Sequence, residues 1–181
     1  MKKHVWLIAL AALSLSTAAH AQNEFGTGKP SVQILSIDSA PVQKGKAGTV
    51  TLNFRVASGF HINSNHPNSE LLIPTVLKLD PPTDLSLGNM TYPAGQDLSF
   101  AFAPDEKLSV YTGDFTVQAT ARTIGSIHAG SYRVHGELKF QACDNSACYP
   151  PKSVPVAFDV KVVNPPSTKV YHNPAQSPDV H

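Results

Sequence analysis

Residues 132–163 read YRVHGELKFQACDNSACYPPKSVPVAFDVKVV, two alternating stretches on either side of a short polar turn. Tyr132, Val134, Leu138 and Phe140 share one face of the first stretch. Val154, Val156, Phe158, Val160 and Val162 share one face of the second. A period of two is the pattern of strands half-buried against a core. Asp144-Asn145-Ser146-Ala147 reads as a turn, because Asp and Asn side chains bond their local backbone. Cys143 and Cys148 then stand at or near the facing ends of neighbouring strands. That placement satisfies the Cα separation of roughly 4.4–6.8 Å that a disulfide requires. Pro150-Pro151 delays pairing of the second strand, which puts the cysteines in an irregular, accessible tip.

The same alternation recurs upstream. Val50, Leu52, Phe54 and Val56 alternate with Thr49, Thr51, Asn53 and Arg55, and Phe115, Val117, Ala119 and Ala121 with Thr116, Gln118, Thr120 and Arg122. Val32–Ile37 is short and β-branched. Leu71–Leu79 is apolar but broken by Pro74, which fits an edge strand or a bulge. Turns are expected at 42–46, 80–82, 93–95 and 128–130, where Gly, Pro or both gather. No stretch of eleven or more residues after the leader has an apolar period of 3.6. Seven or eight short strands between turns predict an all-β domain over 31–163, an immunoglobulin-like antiparallel β-sandwich. A small barrel is the alternative.

The flanks read differently. Lys2 and Lys3, the apolar run Val5–Leu15 and Ala19-His20-Ala21 form a secretory signal peptide over 1–21, too short in its apolar part to span a bilayer. Residues 22–30 are a flexible lead-in and 164–181 a Pro-rich disordered tail. The chain has 181 residues, 15% of them charged against about 25% in an average domain. Fourteen Lys and Arg balance thirteen Asp and Glu. The low charged fraction rules out a charge-driven disordered tail and argues against a long coiled coil, and the near-neutral balance gives no footprint for nucleic acid or an anionic membrane. The expectation is an exported protein without stable membrane insertion.

Export makes a disulfide permissible, and with two cysteines the pairing is unambiguous. The motif is not C-x-x-C-H, and the histidines have no zinc-site spacing, so neither haem nor metal nor another cofactor is expected. Closing a six-residue loop is worth about 2 kcal/mol, against about 4.7 for a hundred-residue loop. A bond that stabilises so little is a candidate for reversible chemistry, but on the residues alone staple and redox pair remain equally open.

Phe140-Gln141-Ala142-Cys143 and Cys148-Tyr149-Pro150-Pro151, with GFHINSNHPNSELLIPTVLKL upstream, resemble the N-terminal periplasmic domain of the thiol:disulfide interchange protein DsbD and its relatives. That resemblance implies an immunoglobulin-like sandwich whose cysteine pair, Cys143 and Cys148, is redox-active. It implies a thiol–disulfide oxidoreductase of the protein-disulfide reductase type, taking electrons from a thioredoxin-like donor and passing them to thioredoxin-like or other periplasmic acceptors. Full-length relatives continue into membrane and thioredoxin-like domains, so this chain reads as a stand-alone version. The family's cap loop corresponds to Phe100–Tyr111, without a Phe-Tyr-Gly. Phe102 is the candidate shield there, and Asp105 and Glu106 its nearby carboxylates. By the family's pattern Cys148 bonds the partner.

Tyr111 and Tyr149 are candidate walls of the site, against ordinary packing. His61 and His66, in a polar loop, are candidates for proton handling or soft-metal binding, against ordinary loop histidines. No Lys, Arg or His adjoins either cysteine along the chain, and Asp144 disfavours a thiolate. A passive exchanger follows. Two other functions fit the same residues: a non-catalytic binding module with a structural disulfide, and a copper handler using the cysteines with His61 or His66.

Overall fold

Alternating burial assembles the first sheet. In β3 (Gly48–Val56), Val50, Leu52, Phe54 and Val56 point inward. Its antiparallel neighbour β9 (Asp114–Thr123) contributes Phe115, Val117, Ala119 and Ala121. Phe54 stacks on Phe115 with ring centroids 5.3 Å apart. Strands β1 (Val32–Ser39) and β6 (Leu85–Thr91) complete the order β1-β3-β9-β6. The computed structural model describes residues 29–167. The expected signal peptide and most of the lead-in and tail lie outside them.

The second sheet is built on the hairpin of β10 (Gly130–Phe140) and β12 (Lys152–Val163), in continuous register from Gly130–Val162 to Phe140–Lys152. β5 (Val76–Asp80) pairs along β10, and β2 (Val42–Gln43) runs parallel to the end of β12. Val134, Leu138, Phe140, Val156, Phe158, Val160 and Val162 join the same core as β3 and β9. Each fully buried large apolar side chain contributes about 1.5–3 kcal/mol. The domain is thus an all-β, immunoglobulin-like sandwich, with no helix among the described residues. It is built from separate open sheets, not the alternative barrel.

A third, smaller sheet has the order β11-β4-β8-β7. Its members are β4 (His61–Asn63), β7 (Gln96–Phe100), β8 (Ala103–Tyr111) and β11 (Ala142–Cys143). Several of these strands differ from expectation. Val42-Gln43 was expected in a turn, but these residues pair with Val162-Val163, and the turn follows them. Residues 61–63 were expected in a loop and 100–111 in a cap loop; the first is a strand, and the second is the end of β7, a two-residue turn and β8. Two or three residues are too few to show a period. In the 71–79 stretch pairing starts only at Val76, beyond Pro74, on the outer edge of its sheet.

At Gly136, β10 lies close against β5. A Cβ there would lie 2.4 Å from the Lys78 carbonyl oxygen and 2.9 Å from the Leu79 side chain. Gly136→Ala should therefore destabilise the domain by about 1–3 kcal/mol, as overpacking does. A lower urea midpoint with the disulfide intact is the expected reading; an unchanged midpoint would contradict it.

Candidate functional site

The hairpin of β10 and β12 does not end at their pairing. Beyond Phe140 the chain leaves the second sheet and enters β11, which pairs with β4 (Ala142 opposite Ile62, Cys143 opposite His61). Cys143 and Cys148 then face each other as an isolated antiparallel bridge. The Tyr149 amide donates to the Ala142 carbonyl and the Asp144 amide to the Ala147 carbonyl, both at 2.9 Å. These bonds flank the cysteines, so the pair occupies a position without direct backbone bonds, where side chains come closest. The two sulfurs are bonded, with the Cα atoms 3.9 Å apart, closer than the expected window of roughly 4.4–6.8 Å.

The two cysteines differ in access. Cys143 has no exposed surface, whereas Cys148 lies in an exposed turn. Gln141 fixes this turn to the body of the fold. Its side-chain amide donates to the Tyr149 carbonyl at 3.2 Å, and its side-chain oxygen accepts from Asn63 Nδ2 at 3.2 Å. Asn63 is buried and also donates to the Ile73 carbonyl at 2.9 Å.

Asp144 organises the turn. One carboxylate oxygen accepts from the amides of Ser146 and Ala147 at 2.7 and 2.9 Å; the other accepts from the Tyr149 hydroxyl at 2.6 Å. These bonds, that from Tyr149 above all, hold its carboxyl below the usual carboxylate range. The same bond pushes the Tyr149 phenol up. Tyr149 also meets Phe60 edge to face at 5.9 Å. It therefore borders the cysteine turn.

His61 is brought next to the pair by strand register, although it is far from it along the chain. It is 3% exposed, and its Nε2 is buried with no hydrogen-bond partner among the described residues. Burial pushes the imidazole down to about 4, against the opposing pull of the Asp144 charge. The expectation that no basic group adjoins a cysteine holds along the chain but not across the strands. His66 lies in the following loop, its amide bonded to the Ser64 hydroxyl.

The cap is a hairpin, in which Phe100 faces Ala103 across a two-residue turn. Phe100 stacks on His61 at 3.8 Å; Phe102, in the turn, stacks on Phe100 at 5.7 Å and stands 6.4 Å from His61. The aromatic in direct contact with the site is therefore Phe100, which the sequence reading missed. The two phenylalanines flank one turn, and nothing in the residues alone ranks them. Asp105 and Glu106 are exposed on β8. Tyr111 belongs to the core, its ring stacked on Phe115 at 5.1 Å and its hydroxyl bonded to Asn65 and the Pro93 carbonyl. Among the described residues no three His, Cys, Asp or Glu side chains form a group that would hold a metal ion.

A family model described as the N-terminal region of the thiol:disulfide interchange protein DsbD matches residues 31–159. The Neisseria meningitidis DsbD N-terminal domain in its reduced form is 23% identical, with a TM-score of 0.40, over 69% of this chain and 81% of that one. A complex between the DsbD and PilB N-terminal domains of the same organism gives 22%, 0.37, 61% and 73%. The GAE domain of GGA2p from Saccharomyces cerevisiae gives 13%, 0.38, 70% and 87%. No curated protein matches.

The buried imidazole makes stability depend on pH. The unfolded chain protonates His61 below about 6.5, whereas the folded domain keeps it neutral down to about 4. Between these values the unfolded state binds more protons, so stability is present above the window and lost as pH falls through it. His61→Phe should flatten that part of the curve. Urea midpoints of the oxidised protein from pH 7 to 4 check it, and an equal slope in both proteins would contradict the assignment.

Proposed function

We propose a function from one premise: this chain belongs to the family of the DsbD N-terminal domain. It is a thiol–disulfide exchange module, and members of its family are periplasmic, which fits the leader read at residues 1–21. The finer reading is that Cys143 and Cys148 relay reducing equivalents from a thioredoxin-like dithiol donor to exported acceptors. The observation that supports it most directly is the unequal exposure of a bonded pair held on a rigid sheet edge. An exchange site needs one sulfur within reach of a visiting thiolate and a second protected until it is needed.

The steps follow from that asymmetry. A donor thiolate attacks Sγ of exposed Cys148, the Cys143–Cys148 bond breaks, and Cys143 leaves with the bonding electron pair as a thiolate. The donor's second thiolate then attacks its own sulfur in the mixed disulfide. This releases Cys148 as a thiolate and the donor as an oxidised disulfide. The reduced pair repeats the chemistry on an acceptor: Cys148 attacks the acceptor disulfide, and Cys143 resolves the mixed disulfide. The acceptor is left as a dithiol and the Cys143–Cys148 bond is restored. Phe100 and Phe102 stack beside His61, Tyr149 borders the turn, and Asp144 and Gln141 keep Cys148 presented.

Trapping tests this reading. Cys143→Ser, which keeps the exposed thiol, should accumulate mixed disulfides with thioredoxin-like proteins; Cys148→Ser should accumulate far fewer. The reduction potential should lie above the roughly −300 mV limit of inert structural bonds. A correctly folded protein whose bond survives every dithiol enzyme offered would overturn the assignment and leave a structural staple.

A further inference from the structure

The exchange steps create a charge where the fold provides no water. When Cys143 leaves Cys148 it becomes a thiolate in a residue with no exposed surface, and the nearest carboxylate, Asp144, is ionised and repels it. An uncompensated buried charge is costly, and a group in that position acquires a counter-charge or a proton. Directly opposed residues of an antiparallel pair place their side chains on the same face, with Cβ atoms about 4.5–5.5 Å apart. The residue opposite Cys143 is His61.

We propose that His61 accepts a proton as the disulfide opens and pairs as imidazolium with the Cys143 thiolate, and that it returns this proton to solvent when the bond re-forms. The inference rests on the exchange reading above. Three observations carry it. His61 stands directly opposite Cys143 in the strand register, its Nε2 has no hydrogen-bond partner among the described residues, and Phe100 stacks on the ring at 3.8 Å. Among the described residues, the one other charge that acts on the ring is that of Asp144. From β11 and its turn come Cys143 and Asp144, the latter already engaged by Ser146, Ala147 and Tyr149. From β7 and its turn come the neutral rings of Phe100 and Phe102. On β8, Tyr111 is engaged elsewhere, and Asp105, Glu106 and Lys107 are exposed.

Proton uptake balances the charge. In the oxidised state His61 is neutral near pH 7, as burial requires. Reduction takes two electrons from the donor dithiol, which leaves as a disulfide, and places one negative charge on Cys143 and, after donor release, one on Cys148. One proton from solvent settles on His61 and a second on Cys148, which is exposed. A nearby His⁺ lowers a thiol from about 8.5 into the range of about 3.5–7.5. Cys143 is thus a ready nucleophile for the resolving step without any basic residue adjoining it along the chain.

The test uses the whole protein, reduced with a small dithiol and freed of it. By NMR, the His61 ring protons should titrate near pH 4 in the oxidised form and stay protonated through neutral pH in the reduced form. Thiolate absorbance at 240 nm should be present at pH 7 in the reduced wild type and fall on the order of tenfold in His61→Phe and His61→Gln. Reduced wild-type His61 that still titrates near 4, or equal thiolate absorbance in the variants, would overturn the inference even if partner trapping succeeds. If trapping fails while the reduced protein shows the imidazolium and thiolate, the exchange reading falls and this pairing stands. The NMR arm needs no variant, so it decides the matter should either substitution fail to fold.

Discussion

Two residues of strand pairing carry the site. By aligning Ala142 with Ile62 and Cys143 with His61, the short ladder of β11 on β4 buries one sulfur, exposes the other and sets an imidazole beside the buried one. The long hairpin of β10 and β12 supplies the rigid stem, but its register alone would leave both cysteines in a free tip. Gln141 joins stem and ladder. Its amide ties the Tyr149 carbonyl to Asn63, and Asn63 in turn holds the Ile73 carbonyl, so the turn is braced from both sides. A bridge of neutral amides costs less to bury than charges would, provided most of its donors are satisfied.

The electrostatics of the turn divide between two acidic and basic groups with opposite roles. Asp144 stays ionised because it collects three hydrogen bonds, two from the backbone and one from Tyr149. It is a structural anion that shapes the turn, and its field opposes a second negative charge nearby. His61 is kept neutral by burial, and that same field pulls it toward protonation. The pair of influences leaves the imidazole sensitive to any change of charge on the cysteine opposite it in register.

The long elements were legible because their side chains alternate over eight to twelve residues, as in β3, β9, β10 and β12. The cysteine turn was legible too, through Asp144 and Asn145 and the following prolines. The strands around the site were not. β4 and β11 are three and two residues long, and their pairing is set by tertiary position, not by a local period. β7 and β8 failed to stand out because β8 carries Pro-Asp-Glu-Lys, a string with little β preference. That reading put forward Phe102 alone, whereas the hairpin sets Phe100 directly against His61 with Phe102 behind it. The role of His61 hides in sequence for the same reason: it lies eighty-two positions from Cys143 and meets it only through register.

The unequal burial of the two sulfurs also bears on survival in an oxidising surrounding. A peroxide arriving at the reduced protein meets Cys148 and not Cys143. The sulfenic acid it forms there lies beside an unspent thiol, which condenses with it, expels water and restores the original bond before sulfinic or sulfonic acid can accumulate. Accidental oxidation thus returns the domain to its disulfide form, and the geometry that serves exchange also limits irreversible injury.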